Sequence, residues 1–139
     1  MDTNIVITGM GAVTPIGIGI DAYWNGLISG VHGIGTITRF DASGLPVQIA
    51  AEVKDFQPTA YMSPKLAKEM DTFMQYGYAA AEEAMQDAGL HPESPELLPV
   101  AAERVGIVVG TAFAGIATIA DTQNGISTGQ YTRVSPRFV

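Results

Sequence analysis

The apolar positions of the chain fall into short blocks separated by glycine and proline, and each block has its own period. Residues 4–8, Asn-Ile-Val-Ile-Thr, form a β-branched run that stops at Gly9, as a strand buried on both faces of a parallel sheet would. A turn rich in Gly9, Gly11, Pro15, Gly17 and Gly19 follows. Asp21 is then placed to cap a helix carrying Tyr23, Trp24, Leu27 and Ile28 at helical spacing and ending near Gly30. Trp24 reads most simply as a core anchor. Further on, Val47, Ile49, Ala51 and Val53 alternate with Gln48, Ala50 and Glu52, which predicts an exposed or edge strand.

The longest periodic segment begins at Ser63-Pro64, an N-cap followed by proline at the first helical position, and runs to Ala88 with Gly89 as its stop. Met70, Phe73, Met74, Gly77, Tyr78, Ala81 and Met85 share one stripe, which predicts a core helix of about seven turns. Pro92, Pro95 and Pro99 interrupt any continuation. Residues 104–110 are a second near-continuous apolar run and hence another covered strand, and a helix is expected over 115–124 after Gly115. The order β, α, β, α, β, α predicts an α/β layered fold without repeats or linkers. Phe138 and Val139 leave an apolar end where a frayed terminus is usually polar, so further chain is expected to follow.

Composition narrows the chemistry. The 139 residues suit one core. An apolar share of 47% against 15% charged residues suits a globular protein. There is no cysteine, so no disulfide, no cysteine-ligated metal and no thiolate nucleophile belongs to this chain. A net charge of −7 has the wrong sign for a nucleic-acid or anionic-membrane binder. The charge is uneven: residues 1–121 hold five basic and fourteen acidic side chains, and residues 122–139 hold two basic and no acidic ones. With no basic-apolar leader pattern at the start and no apolar run of membrane-spanning length, a soluble, unexported, cytoplasmic protein is expected.

Motifs for small-molecule chemistry are weak. Gly9-Met10-Gly11-Ala12-Val13-Thr14 follows a predicted strand, but Thr14 stands where a dinucleotide fingerprint needs its third glycine. A tight turn between layers is the better reading, and no P-loop sequence exists. His32 and His91 are the only histidines. Neither has a partner at ligand spacing, so surface roles fit them better than metal or base roles, and no cofactor is implied. Glu82-Glu83, off the apolar stripe, reads as a solvated face. Lys65 and Lys68 are placed in the first turn of the long helix, where the dipole disfavours cations. Either exposed lysines tolerate this cheaply, or they and the free N–H groups receive an anionic partner.

Several segments then resemble one family. They are Ile5-Val6-Ile7-Thr8-Gly9-Met10-Gly11 with Thr14-Pro15-Ile16-Gly17, Ala51-Glu52-Val53-Lys54-Asp55-Phe56, and Met70-Asp71-Thr72-Phe73-Met74-Gln75-Tyr76-Gly77. Ala88-Gly89-Leu90, Val105-Gly106 with Gly110-Thr111, and Ser135-Pro136-Arg137-Phe138-Val139 complete the set. In order, over essentially the whole chain, they resemble the N-terminal part of the β-ketoacyl-acyl carrier protein synthases, most closely the type II synthases of bacterial fatty-acid synthesis.

The resemblance implies a thiolase-like layered fold (α-β-α-β-α), of which residues 1–139 would supply most of the first half. It implies a homodimeric acyltransferase that condenses an acyl chain, held as a cysteine thioester, with malonyl-acyl carrier protein. Helix N-terminal activation of the thiol and paired N–H groups for the oxyanion make that chemistry intelligible. The family's cysteine and two histidines would all lie beyond Val139, so no catalytic residue belongs to this chain and it is expected to be inactive alone. Lys65 and Lys68 match positions that face the acidic carrier protein, while a third basic position holds Glu69. Phe113 matches a residue lining the acyl pocket. Phe138 matches one contributed across the dimer interface, with a plain core phenylalanine as its alternative. A non-catalytic chain-length-factor-like subunit and a polyketide synthase fragment are the rival readings.

Overall fold

The computed structural model describes residues 4–91, 100–113 and 115–130. Two small antiparallel ribbons and four helices make up its main elements. Ribbon one pairs β1 (Val13–Thr14) with β2 (Gly17–Ile18), in the register Val13 to Ile18. Pro15 and Ile16 fill its turn, and the Thr14 hydroxyl bridges it by donating to the Gly17 carbonyl at 2.9 Å. Helix α1 (Ile20–Ile28) follows directly. Ribbon two pairs β3 (Ile34–Thr36) with β4 (Ile49–Ala51), Gly35 lying opposite Ala50. The alternating segment around residues 47–53 therefore does form a strand, although a shorter one. Its partner β3 was not foreseen.

Helix α1 starts differently from the expectation that Asp21 caps it. Gly19 is the cap residue, at φ +91, and has no side chain to offer; Asp21 lies inside the first turn. The missing acceptor comes from another helix: Glu83 Oε1 accepts from the Ile20 amide at 2.7 Å. A carboxylate at a helix N-terminus is favoured by both the unpaired N–H groups and the dipole.

The expected continuous helix over 63–88 is two helices, α2 (Pro64–Glu69) and α3 (Thr72–Asp87). Met70 leaves the helix with an extended backbone (φ −104, ψ 135), and Asp71, also extended, is the cap residue of α3. Asp71 occupies the cap position without a side-chain bond to the helix, so the break is the extended backbone of Met70 and Asp71 itself. The packed face of α3 also differs from the Met and Phe stripe. Ala79 is buried, and Ala80, Glu83, Ala84 and Ala88 lie against the segment 9–20, whereas Met74, Gly77, Tyr78 and Ala81 are exposed.

Glycine makes that packing possible. A Cβ on Gly11 would stand 1.9 Å from the Ala80 carbonyl oxygen, and one on Gly9 would stand 2.1 Å from that of Ala84. The two carboxylates off the expected stripe then complete the contact. Glu83 Oε2 accepts from the Ala12 amide at 2.9 Å, and Asp87 Oδ2 accepts from the Met10 amide at 3.0 Å. Glu83 is thus a structural acceptor and not part of a solvated face. The Gly9–Thr14 motif is a close backbone docking onto α3, in line with its reading as a turn between layers.

Residues 4–8 and 105–109 are not the buried strands that their composition predicts. Neither belongs to a ladder, and Ile5, Ile7, Ile107, Val108 and Val109 are more than four-fifths exposed. A parallel strand is buried only when helices and neighbouring strands cover both faces, and the described residues supply no such cover. Trp24 is corrected on the same ground: it is 60% exposed, with Leu27 and Ile28 also open on α1 and Val31 open just beyond it. Helix α4 (Ile116–Ser127) begins after Gly115, as the sequence predicts. None of the helices among the described residues is long and apolar enough to cross a membrane.

Candidate functional site

Helix α2 is set by its first two residues. Ser63 is extended and its Oγ accepts from the Leu66 amide at 3.2 Å, while Pro64 takes the first helical position, where no N–H is needed. Ala67 is buried and Leu66 half-buried, which leaves Lys65 and Lys68 on the exposed side. Because α2 ends at Glu69, Lys68 lies in its last turn, where a cation is favoured. The expectation that both lysines occupy the first turn therefore holds for Lys65 alone. With Ser63 already satisfying one of the leading N–H groups of so short a helix, the exposed lysine pair itself is the recognisable feature.

Two contacts fix the joint between α2 and α3. Gln75, in the first turn of α3, donates through Nε2 to the Ala67 carbonyl at 2.8 Å and to the Met70 carbonyl at 3.1 Å. These are carbonyls that the end of α2 leaves without helical partners. Below them, Phe56 stacks on Tyr61 with centroids 5.6 Å apart, and meets Tyr76 edge-on at 4.9 Å. Arg39 donates to the Tyr76 hydroxyl and lies 6.0 Å from that ring's centroid. Residues flanking the second ribbon, the residue that ends the 3-10 turn Pro58–Ala60, and α3 thus meet in one aromatic cluster.

Phe113 lies on the loop leading into α4, 76% exposed, with its carbonyl accepting from the Thr111 hydroxyl at 3.2 Å. Two residues on, Gly115 caps α4 with φ +46, and a Cβ there would stand 2.6 Å from Asp71 Oδ2. Asp71 is the first residue of the α2–α3 joint's far side, so the lysine helix and the Phe113 loop approach the same joint. Phe138 lies outside the described residues. His32 and His91 are exposed and take no part. Sequence reading missed Gln75, Glu83 and Asp87. The signal available was Asp71, a residue type favoured at cap positions, which would have placed Gln75 in a first turn.

The family model described as "Beta-ketoacyl synthase, N-terminal domain" matches residues 2–139. The chain belongs to that family. This bears out the resemblance drawn from the glycine-rich opening, the Met70–Gly77 segment and the closing Ser-Pro-Arg-Phe-Val. Among curated relatives, 3-oxoacyl-acyl-carrier-protein synthase 2 of Coxiella burnetii is 37% identical over 136 residues, and the protein of the same name from Synechocystis sp. is 39% identical over 136. Each match covers 98% of this chain and 32% of the relative. The solved structure titled "The ishigamide ketosynthase/chain length factor" aligns with a TM-score of 0.73 and 31% identity, over 94% of this chain and 32% of that one. The chain therefore spans about a third of the length of the relatives it matches, and its fold is that of the first part of a ketosynthase's α/β layers.

Proposed function

We propose that this β-ketoacyl synthase domain serves, as part of a longer polypeptide, in a 3-oxoacyl-acyl carrier protein synthase of fatty-acid biosynthesis. The observation that carries the reading is the match of 98% of the chain to synthases of that name at 37–39% identity. In the reaction, malonyl-acyl carrier protein loses carbon dioxide, and the resulting carbanion attacks the acyl thioester carbonyl. A carbon–carbon bond forms and the thiolate leaves. This chain holds no cysteine, so the thiolate must come from elsewhere and the chain alone is inactive. Lys65 and Lys68, exposed on α2, receive the acidic carrier protein. Phe113 lines the acyl pocket, and Phe138 contributes to it across a homodimer interface. The enzyme works in the cytoplasm.

The test is the polypeptide that contains this chain, incubated with acyl- and malonyl-carrier protein. Carbon dioxide release with a 3-oxoacyl product is expected, together with a cysteine and two spaced histidines beyond Val139. A second reading is favoured by one observation, the likeness to a ketosynthase/chain length factor: a subunit that dimerises with a synthase and does no chemistry. Another residue at the cysteine position, with no condensation, would establish it. Elongation of polyketide intermediates in place of fatty acyl chains would move the same fold to a polyketide synthase.

A further inference from the structure

Two exposed lysines recognise an acidic surface only if their helix is held at a fixed angle, because a charge pair that wanders loses orientation as well as attraction. Helix α2 is short, and Ser63 secures only its beginning. It spans Pro64–Glu69, shorter than two turns, and Ala67 is its one buried residue. Its last carbonyls also point at a break, where Met70 and Asp71 have left the helical conformation.

Gln75 closes that break. Its amide nitrogen has two hydrogens, and both find carbonyls: Ala67, inside α2, at 2.8 Å, and Met70, its cap residue, at 3.1 Å. Both bonds are part-buried. The donor is carried by the first turn of α3, which is itself fastened to the opening segment through Glu83 and Asp87. A side chain on a fastened helix therefore grips the end of a short one.

We infer that Gln75 is the positioning residue of the docking helix, setting the angle at which Lys65 and Lys68 meet the carrier protein. The inference rests on the carrier-docking reading of those lysines. Gln75 touches neither carrier protein nor acyl chain in this role; it acts through α2.

The decisive variant in the polypeptide that contains this chain is Gln75→Met, which keeps length and removes both donors. Each substrate is supplied twice, as its carrier-protein thioester and as a carrier-free pantetheine thioester. The expected result is a KM for the carrier-bound substrate raised about three- to tenfold, because the loss of two neutral hydrogen bonds reaches docking only in part, through the angle of α2, with kcat and the pantetheine KM unchanged. A merely structural role would shift both substrates together, and that result overturns the inference, as does an unchanged carrier KM. Should Gln75→Met not fold, Gln75→Lys keeps a donor for both carbonyls and must retain the wild-type ratio of the two KM values; a raised ratio overturns it. Charge reversal at Lys65 and Lys68 separates the two claims. If reversal leaves the carrier KM unchanged, the docking reading itself has failed; if reversal raises it and Gln75→Met does not, only the positioning role has.

Discussion

Glu83 Oε2 accepts a hydrogen bond from the Ala12 amide at 2.9 Å, across 71 positions of sequence. Its other oxygen accepts from Ile20 at the start of α1, so one carboxylate joins α3, the first ribbon and α1. Removing it by Glu83→Ala leaves two part-buried N–H groups without acceptors, and hydrogen bonds to charged groups are worth about 1.5–3 kcal/mol each before exposure weakens them. A loss of about 2 kcal/mol is expected in urea unfolding, with Glu83→Gln intermediate because one amide oxygen remains.

Gly11 and Gly77 should respond in opposite directions to the same change. A methyl group at Gly11 would stand 1.9 Å from the Ala80 carbonyl oxygen, so Gly11→Ala must push the opening segment off α3, at a cost of more than about 2 kcal/mol by analogy with overpacking. Gly77 lies inside α3 with open space around it. There Gly77→Ala should stabilise by about 0.5–1 kcal/mol, the helix-propensity difference. Thermal unfolding of the two variants, made in the polypeptide that contains this chain, checks the pair.

The second ribbon carries an acid-sensitive contact. Glu52 accepts from the Thr38 hydroxyl at 2.7 Å and from the Thr38 and Arg39 amides, and these bonds, the hydroxyl first, hold its carboxyl below its ordinary value of 4.5. A group whose folded value is depressed contributes stability above its unfolded value and loses it as pH falls through the folded one. Ribbon stability should therefore be constant above about pH 5 and decline below 4.5. Thr38→Val should flatten that decline, as read by exchange of the Ile37 amide, which donates to the Gln48 carbonyl at 3.0 Å.

Charge reversal at Lys65 and Lys68 should weaken binding of acyl carrier protein in the polypeptide that contains this chain by about tenfold, and the wild-type affinity should fall with added salt, since the lysines are exposed. Calorimetric titration at two ionic strengths reads both effects.

The 139-residue chain by itself should be marginal. Ile5, Ile7, Ile107 and Val108 are exposed on segments that belong to no ladder, and Trp24, Leu27, Ile28 and Val31 are exposed on or beside α1. Such apolar surface promotes association. Purified alone, the chain is expected to bind a hydrophobic dye and aggregate on heating; a cooperative monomeric transition would contradict this.

Local signals in the sequence were sufficient wherever the structure is local. Ser63-Pro64 did start α2, Gly89 did follow the end of α3, and Gly115 did precede α4. The motifs from Ile5 to Val139 identified the family without any contact being known, and three of their glycines, Gly9, Gly11 and Gly17, stand where a Cβ would meet neighbouring backbone. Asp71 was equally local, yet it was masked by an apolar stripe that ran through it.

What the sequence by itself determined was the family, the α/β class and the absence of a cysteine nucleophile, since these depend on residue identity and order. Tertiary structure decided which face of α3 is packed, that Glu83 caps a helix not its own, and that Lys65 and Lys68 stand on a short helix held by Gln75. The physical reason is that an acceptor 71 positions away satisfies an N–H as well as a neighbouring one does. Periodicity measures only the tendency of a face to be buried, and burial itself requires a partner: residues 4–8 and 105–109 have the composition of covered strands, but nothing in the described fold covers them.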